Sequence, residues 1–266
     1  MDKKIFKKEL QDWNRNAIFY AIEANSPFKK ILRAEIKEKF LLSKRHKRIL
    51  DLGAGTGDFA VDLASSLGSQ VACIDFSPVM RRIALKKYPK LDYLTASAEK
   101  LPFKNNTFDA VIAIGILHHL KIQGILEKTL REVHRVLKPD GYFCYLDRSN
   151  SFLAARYEDF FSGMKSLFSK FKRRYSASST SSETTLTGQD LLFLKQKFKT
   201  VARNSIYCLP FKSLLVTSNF LFYLFGKSFY LSFQWLFSPL AFLFEKCLNF
   251  KFLETEYCEV LQKRKK

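Results

Sequence analysis

A carboxylate and three glycines at two-residue spacing, Asp51, Gly53, Gly55 and Gly57, are the residues of this chain best suited to hold a charged ligand. They follow a short apolar run, Ile49–Leu52, that predicts a buried strand, and they precede a pattern of apolar residues at helical spacing. Glycines let the backbone approach a ligand closely, and the first amides of a helix offer unpaired N–H donors. The segment therefore predicts a ligand site where a strand turns into a helix.

The spacing of these glycines argues against a dinucleotide as the ligand. The dinucleotide pattern is G-x-G-x-x-G, whereas here the third glycine comes one residue early, and Asp51 suits a cationic group better than a pyrophosphate. A second acid, Asp75, ends the next predicted strand, Val71–Asp75. Because the carboxyl ends of neighbouring parallel strands meet, we expect Asp75 beside the turn, where a carboxylate can accept hydrogen bonds from both hydroxyls of a ribose.

The order of elements around these residues indicates an α/β fold. Strands are predicted at Leu91–Thr95, Phe108–Ile114 and Tyr142–Leu146, and a helix at Ile125–Leu137. Alternating strands and helices favour a parallel sheet covered on both faces. A further helix at 191–198, opened by a capping box at Thr187–Asp190, and strands at 201–209 and 256–262 would complete the sheet.

Taken together, four motifs in this order resemble the class I S-adenosylmethionine-dependent methyltransferases, in the small-molecule and quinone-biosynthesis branch (methyltransferase domain type 11-like). The motifs are D-x-G-x-G-x-G, A-S-A-E-K-L-P-F, F-D-x-V followed by L-H-H-L, and R-E-V-H-R-V-L-K-P-D-G, between Arg48 and Asp147. The resemblance implies a Rossmann-like α/β sheet of order 3-2-1-4-5-7-6 with strand 7 antiparallel, N-terminal helices and helical inserts. It also implies an enzyme that uses S-adenosyl-L-methionine as its methyl donor.

The same resemblance assigns the cofactor-binding residues. Asp51 and the glycine turn would hold the amino-acid end of the cofactor, Asp75 its ribose, and the segment around Ser97 its adenine. The family has an aspartate where Ser97 stands, and a hydroxyl is a weaker partner for the adenine amine than a carboxylate. The full expected set is Asp51, Gly53, Gly55, Gly57, Asp75, Phe76, Met80, Ser97, Ala98 and Ile114.

Three residues are candidates for a general base. His118 and His119 come just after the fourth strand, and Asp147 ends the fifth, so all three are expected near the ligand-binding edge of the sheet. A histidine that only packs beneath the cofactor is the structural alternative. Methyl transfer from a sulfonium needs alignment more than acid–base chemistry, so a base is required only if the acceptor loses a proton. Two adjacent histidines without a third ligand are a poor metal signal, and no metal is expected.

The chain carries a formal net charge of +20, and the excess lies outside residues 49–147. A basic exterior favours an anionic partner, either a lipid surface or a nucleic acid. A nucleic-acid methyltransferase is therefore an alternative function, although Ile114–Leu117 stands where such enzymes carry an N-P-P-Y-like tetrapeptide. A second alternative is a non-catalytic scaffold protein that keeps the cofactor site.

Composition shifts along the chain predict five regions. An aromatic segment stands out, because Ser213–Gly226 and Ser228–Phe244 contain no charged residue, yet each run is shorter than the ~20 residues needed to span a bilayer. A basic amphipathic helix is predicted at 157–171 and a polar serine-rich loop at 176–185. The regions are 1–47 (N-terminal helical cap), 48–147 (cofactor-binding core), 148–210 (amphipathic insert, serine-rich loop and return to the sheet), 211–252 (aromatic helical insert) and 253–266 (last strand and basic tail).

These regions suggest the acceptor and its location. Aromatic residues beside lysines are typical of an interfacial anchor, so we expect a hydrophobic small molecule or lipid-linked acceptor, such as a prenylated quinone precursor, and peripheral contact with an anionic membrane. The alternative is that the hydrophobic helices of this segment pack against the domain and do not contact a membrane. The first residues contain no signal-peptide pattern, and five scattered cysteines fit a reducing compartment. We therefore expect a cytoplasmic protein, peripheral or monotopic on the inner face of the membrane.

Overall fold

One sheet organises the parts of the chain that the computed structural model describes, which are residues 3–40, 42–43, 45–148, 185–208, 236–237 and 254–264. The strands, in the order β3-β2-β1-β4-β5-β7-β6, confirm the predicted topology. β1 to β5 pair in parallel, whereas β7 lies antiparallel between β5 and β6. Their bounds are β1 Arg48–Leu52, β2 Gln70–Asp75, β3 Asp92–Thr95, β4 Phe108–Ile114, β5 Leu137–Arg148, β6 Phe198–Cys208 and β7 Glu254–Lys263.

Seven helices in the described residues cover the sheet and supply its connections. Serine caps followed by proline begin two of them, because the Ser26 and Ser77 hydroxyls accept hydrogen bonds from the amides of Lys29 and Met80. The bounds are α1 Lys3–Glu23, α2 Pro27–Lys39, α3 Asp58–Leu67, α4 Pro78–Lys87, α5 Leu117–Ile122, α6 Leu126–Val136 and α7 Leu192–Lys197.

The two faces of the sheet carry separate hydrophobic cores. Successive side chains of β1 point to opposite faces, so Leu50 and Leu52 pack with α6 while Ile49 packs with α2 and α3. The central strands are buried on both faces, which is why their sequences are continuous apolar runs rather than alternating ones. Because β1, β2 and β4 are parallel, their carboxyl ends lie on the same side of the sheet, and the predicted site residues are found there.

Three local predictions differ from the structure. Thr187 and Asp190 bond to each other as in a capping box, but they lie in the turn before α7, whose N-cap is Leu191 without a side-chain hydrogen bond. α5 was not expected as a separate helix, because its six residues are too few to show a helical period. β5 begins at Leu137, not at Tyr142, so Lys138–Gly141 extends the strand and does not form a turn. Leu137 pairs with Phe108 across an irregularity in the register, and Asp140 adopts a positive φ of 60°, so this extension is a distorted strand end whose residues look like a turn.

Several predicted features lie outside the described residues. These are the amphipathic helix at 157–171, all but the last residue of the serine-rich loop at 176–185, and most of the aromatic segment at 211–252. The boundaries of the five regions likewise stay predictions. Among the helices within the described ranges, none has both the length and the apolar character that crossing a bilayer requires.

Candidate cofactor site

A cavity opens at the carboxyl ends of β1, β2 and β4, beneath the N-terminal helix α1. Eight of the ten residues predicted to bind a cofactor line it, and the structure therefore brings together residues from four separate segments of the chain. Asp51 and Gly57 lie outside the lining. The eight lining residues are Gly53, Gly55, Asp75, Phe76, Met80, Ser97, Ala98 and Ile114.

The glycine turn uses two of its glycines for different purposes. A Cβ atom added to Gly55 would meet nothing within 4 Å, so the space beside this residue is open to a ligand in the cavity. A Cβ atom on Gly57 would instead come within 2.5 Å of Leu91 Cδ2, and its φ of 76° is one that other residues rarely adopt. Gly55 thus leaves room for a ligand, whereas Gly57 allows α3 to start close against the chain before β3.

Asp75 connects the turn to the end of β2. Its Oδ2 accepts a 3.0 Å hydrogen bond from the Gly55 amide, and its Oδ1 accepts one of 2.9 Å from the Ser77 amide. Burial raises the pKa of Asp75 to about 6, although these backbone donors act to lower it. The amide of Phe76 is a third donor to this carboxylate, whose two oxygens together offer about four lone pairs, so at least one position stays open to a ribose hydroxyl.

Asp51 is a buried acid, one oxygen of which finds no partner in the described part of the chain. Only 3% of the residue is exposed, and its Oδ2 has no hydrogen-bond partner among the described residues. Burial, and secondarily the charge of Asp75, raise its pKa to about 7. A buried carboxylate without a cation or donor is costly, and a cationic ligand group would remove much of that cost. Although Asp51 lies behind the lining, this environment fits the amino group of the predicted cofactor.

The adenine end of the predicted site is mostly apolar. Phe76, Met80 and Ala98 supply apolar lining, and Ser97 adds a hydroxyl whose Oγ is buried and has no partner within the described part of the chain. Such an orphaned hydroxyl costs free energy unless a ligand completes it. Ser97 is therefore available to the exocyclic amine of an adenine, which is the role that the resemblance implies.

Helix α1 covers the cavity from the N-terminal side. Trp13 is part of the lining, and Tyr20 stacks on it with ring centroids 4.8 Å apart. One residue further along α1, Asn14 accepts a 2.6 Å hydrogen bond from the Ser77 hydroxyl at the start of α4. The prediction that the N-terminal helices cover the site is consistent with this placement, since Trp13 lines the cavity and Tyr20 supports it.

The three candidate bases occupy two pairs. His118 is buried and its Nδ1 lies 2.7 Å from Oδ1 of Asp147, while its backbone amide donates to Oδ2 of the same carboxylate. His119 lines the cavity, and its Nδ1 lies 3.0 Å from Oε2 of Glu9 on α1. Of the three, only His119 is in direct contact with the cavity, and Asp147 stands behind His118. Their catalytic roles remain predictions.

Several functional residues were not found from the sequence. Gln123 is 4% exposed, lines the cavity, and is followed by Gly124 at a positive φ of 70°. Glu9 reaches the site from α1, which nothing in its lysine-rich surroundings indicates. The remaining additions to the lining are apolar or glycine: Leu52, Ile74, Ala96, Gly115, Ile116, Leu120 and Ile125.

Covalent and metal chemistry find no support among the described residues. Burial raises the pKa of the Cys73 and Cys144 thiols well above their usual range, so neither is a ready nucleophile. Within the same residues no group of three or more potential ligands could hold a metal ion. The site is thus suited to binding and orienting a cationic nucleoside next to an imidazole.

Comparison with known proteins agrees with this geometry. Residues 50–145 match the family described as a methyltransferase domain. The demethylmenaquinone methyltransferase of Chlorobaculum tepidum is 39% identical over 113 residues, which cover 42% of this chain and 45% of that protein. The ubiquinone/menaquinone biosynthesis C-methyltransferase of Pasteurella multocida is 37% identical over 118 residues, covering 41% and 42%. The chain thus spans less than half the length of these relatives.

Solved structures show the fold over most of the chain. A phosphoethanolamine N-methyltransferase of Haemonchus contortus, determined in complex with S-adenosyl-L-methionine, superposes with a TM-score of 0.55 and 20% identity, covering 88% of this chain and 52% of that one. A sarcosine dimethylglycine methyltransferase of Galdieria sulphuraria, described as putative in its own title, gives a TM-score of 0.51 and 17% identity, covering 88% and 84%. Residues 50–145 are therefore a methyltransferase domain of the class I S-adenosylmethionine-dependent type.

Proposed function

We propose that this chain transfers a methyl group from S-adenosyl-L-methionine to a hydrophobic small molecule. The observation that carries the proposal is the pairing, at one sheet edge, of a glycine turn open to a ligand with two buried strand-end acids, Asp51 and Asp75. Oδ2 of Asp51 has no hydrogen-bond partner among the described residues, and Asp75 can accept a hydrogen bond from the ribose. When bound, the cofactor supplies an electrophilic methyl group on a sulfonium sulfur.

The residues of the chain would mainly position the cofactor and the acceptor and exclude water from the cavity. Asp51, Asp75 and Ser97 would fix the cofactor at three points, and Trp13 would close the cavity from α1. Holding two reactants in line can lower the activation barrier by several kcal/mol without any acid–base step. His119 is placed to take a proton where the acceptor must lose one.

A hydrophobic acceptor is supported by two independent observations. Apolar side chains dominate the part of the cavity near α5, including Ile116, Leu120 and Ile125. Two sequence relatives are named for demethylmenaquinone and for ubiquinone and menaquinone biosynthesis. We extend the proposal to a quinone precursor or a lipid-linked ring as the acceptor.

The proposed location is the cytoplasmic face of a membrane, with peripheral contact. Its support comes from sequence alone: the uncharged aromatic runs in 211–252 and the basic residues between 165 and 174. Co-sedimentation of the full chain with vesicles tests this. Binding to vesicles with anionic lipid, but not to neutral vesicles, is expected, and equal partitioning into supernatant with both would overturn it.

The acceptor is tested by incubating the full chain with methyl-labelled cofactor and reduced demethylmenaquinone in detergent micelles. We expect label in the organic phase together with S-adenosylhomocysteine, and much less of both products with an Asp75→Asn variant at a cofactor concentration that just saturates the wild type. Release of S-adenosylhomocysteine with a total lipid extract, but no labelled menaquinone, would reject the quinone while keeping a lipid acceptor. No labelled lipid from either source would reject the hydrophobic acceptor.

A further inference from the structure

We propose that Glu9 is a positioning residue for His119, which it holds with the proton on Nδ1 so that Nε2 stays free to accept a proton in the cavity. This inference deepens the proposed methyl transfer and rests on it for its catalytic meaning. It assigns a role to the N-terminal helix beyond covering the site.

The contact joins two elements that are far apart in the chain. Glu9 lies in the second turn of α1, and His119 in the short helix α5 after β4. Their Oε2 and Nδ1 atoms are 3.0 Å apart, with side-chain exposures of 4% and 15% respectively. The distance is that of a hydrogen bond, but the angle is poor, so neither atom counts as hydrogen-bonded among the described residues; such misalignment is common in catalytic pairs before substrate binds.

Because Glu9 is buried, its contact with His119 affects whether the carboxylate stays ionised. A carboxylate as enclosed as Glu9 is costly to keep ionised unless a donor or cation faces it. Although burial alone would raise the pKa of Glu9, its contacts with His119 and Trp13 bring that pKa below its ordinary value. Glu9 is therefore an anion at neutral pH, and the side of the imidazole facing it is the side that carries a proton.

The ring of His119 is held on other sides as well. The ring of Trp13 contacts it at a steep angle of 76° with centroids 5.3 Å apart, and the ring of His118 lies 4.1 Å away, centroid to centroid. His118 is bound in turn to the carboxylate of Asp147 on β5. The charged and titratable groups around His119 are thus Glu9 from α1, His118 beside it and Asp147 behind. Of the two imidazoles, only that of His119 lines the cavity.

The chemical consequence follows from the two nitrogens of imidazole. In the neutral ring one nitrogen is a donor and the other an acceptor, and a carboxylate at Nδ1 selects the form with a lone pair on Nε2. In methyl transfer the sulfur–carbon bond breaks with its electron pair left on sulfur, the acceptor forms the new bond to carbon, and its proton passes to Nε2. The resulting imidazolium would then face the Glu9 anion.

Glu9 and the cavity residue Trp13 share one face of α1. They are four residues apart, so they lie on the same side of the helix. That face places Trp13 in the cavity lining and Glu9 against His119.

The tautomer of His119 is measured directly by long-range proton–nitrogen NMR of the full chain labelled with ¹⁵N-histidine. The chain has four histidines, and a His119→Gln variant identifies the signal. We expect the neutral wild-type ring to carry its proton on Nδ1, and a Glu9→Met variant to shift it to Nε2, the form that free histidine prefers. An Nε2-protonated wild-type ring, or a tautomer unchanged by Glu9→Met, would overturn the proposal.

Two further variants distinguish the loss of the Glu9 contact from the loss of its charge and from a general disturbance of α1. Glu9→Gln keeps an acceptor oxygen and should retain a majority of the Nδ1 form. Asp12→Asn removes a carboxylate from the next turn of α1 and serves as the matched control, with no change in tautomer expected. If Asp12→Asn shifts the tautomer as much as Glu9→Met does, the effect is not specific to Glu9 and the proposal fails.

Turnover adds a readout that a merely structural role would not produce. Glu9→Met should lower kcat by roughly 10–100-fold, with Glu9→Gln between it and the wild type. The Kd for S-adenosylhomocysteine should change by less than about threefold. An unchanged kcat with a shifted tautomer would refute the catalytic part alone. If wild-type chain binds no S-adenosylhomocysteine, the proposed function fails, whereas the NMR result still decides the role of Glu9.

Discussion

The backbone amide of Gly55 donates a hydrogen bond to Oδ2 of Asp75 across a distance of 3.0 Å. The bond ties the turn after β1 to the end of β2, and the Ser77 amide binds the other carboxylate oxygen. One carboxylate therefore shapes the turn and also faces the cavity. Changes to Asp75 should consequently affect the ligand and the turn together.

Asp75→Asn should weaken the binding of S-adenosylhomocysteine by roughly 10–100-fold, because hydrogen bonds to a charged group are worth about 1.5–3 kcal/mol. The amide of asparagine can accept through only one oxygen, so one backbone donor or one ribose hydroxyl loses its partner. Isothermal calorimetry at a pH well above 7 measures the loss.

The matched control for this variant is Asp92→Asn. Asp92 is an exposed acid at the opposite end of the neighbouring strand β3, away from the cavity lining. The substitution makes the same change of charge, and its Kd should match that of the wild type. Equal weakening in both variants would show that overall charge, and not the Asp75 contacts, sets the affinity.

The last two glycines of the turn, Gly55 and Gly57, should differ in how much stability the protein loses when each is replaced by alanine. Gly57→Ala places a Cβ atom within 2.5 Å of Leu91 at a positive φ, so it should destabilise the fold by about 2 kcal/mol or more. Gly55→Ala meets no neighbour within 4 Å and should cost about 1 kcal/mol for its φ alone, while impairing ligand binding more strongly. Urea denaturation and calorimetry of both variants check this, and a reversed order of stabilities would contradict it.

Much of the site could be predicted because its residues lie within strong local patterns. β4 was predicted at its observed bounds, since seven mostly apolar residues between turn signals leave little ambiguity. Asp75 could be placed because the parallel register that pairs Asp51 with Cys73 brings the end of β2 beside the glycine turn. The order of strands, by contrast, came from family resemblance.

Contacts between distant elements could not be predicted in this way. Glu9 reaches His119 only because α1 folds over the edge of the sheet, and no spacing within α1 records that contact. The pairing of His118 with Asp147 depends likewise on β4 and β5 being neighbours. Asp51 was predicted as a ligand-binding acid, yet its lack of a partner and its raised pKa depend on what packs around it.

Stability should depend on pH through Asp51. Its pKa is about 7 in the folded chain, against about 4 in an unfolded one, so between these pH values the folded state binds more protons. The free energy of unfolding therefore falls as pH rises from about 4 to 7, and this contribution is lost above pH 7.

Asp51→Asn tests this dependence because asparagine resembles the protonated acid. Urea denaturation of ligand-free protein should show the variant to be more stable than the wild type at pH 8, by on the order of a few kcal/mol, but by less than half as much at pH 5, since the folded wild-type carboxyl is protonated there while the unfolded one is already ionised. Taking the difference between the two proteins cancels the other titrating groups. The same stability difference at both pH values would mean that Asp51 does not titrate in this range.

Trp13 should report ligand binding by its fluorescence. The chain has two tryptophans, and Trp13 lines the cavity beside His119. In a Trp235→Phe variant, S-adenosylhomocysteine should change the emission with a concentration dependence equal to the Kd from calorimetry. A Trp13→Phe variant should still bind but show no such change; an equal response from it would place the ligand away from α1.

The central claim is that the glycine turn and the two acids bind a sulfur-containing nucleoside. Calorimetric titration of the full chain with S-adenosylhomocysteine, and separately with NADH, tests it most directly. We predict saturable binding at one site per chain for S-adenosylhomocysteine and no heat of binding for NADH. Binding of NADH without binding of S-adenosylhomocysteine would contradict the assignment of the site.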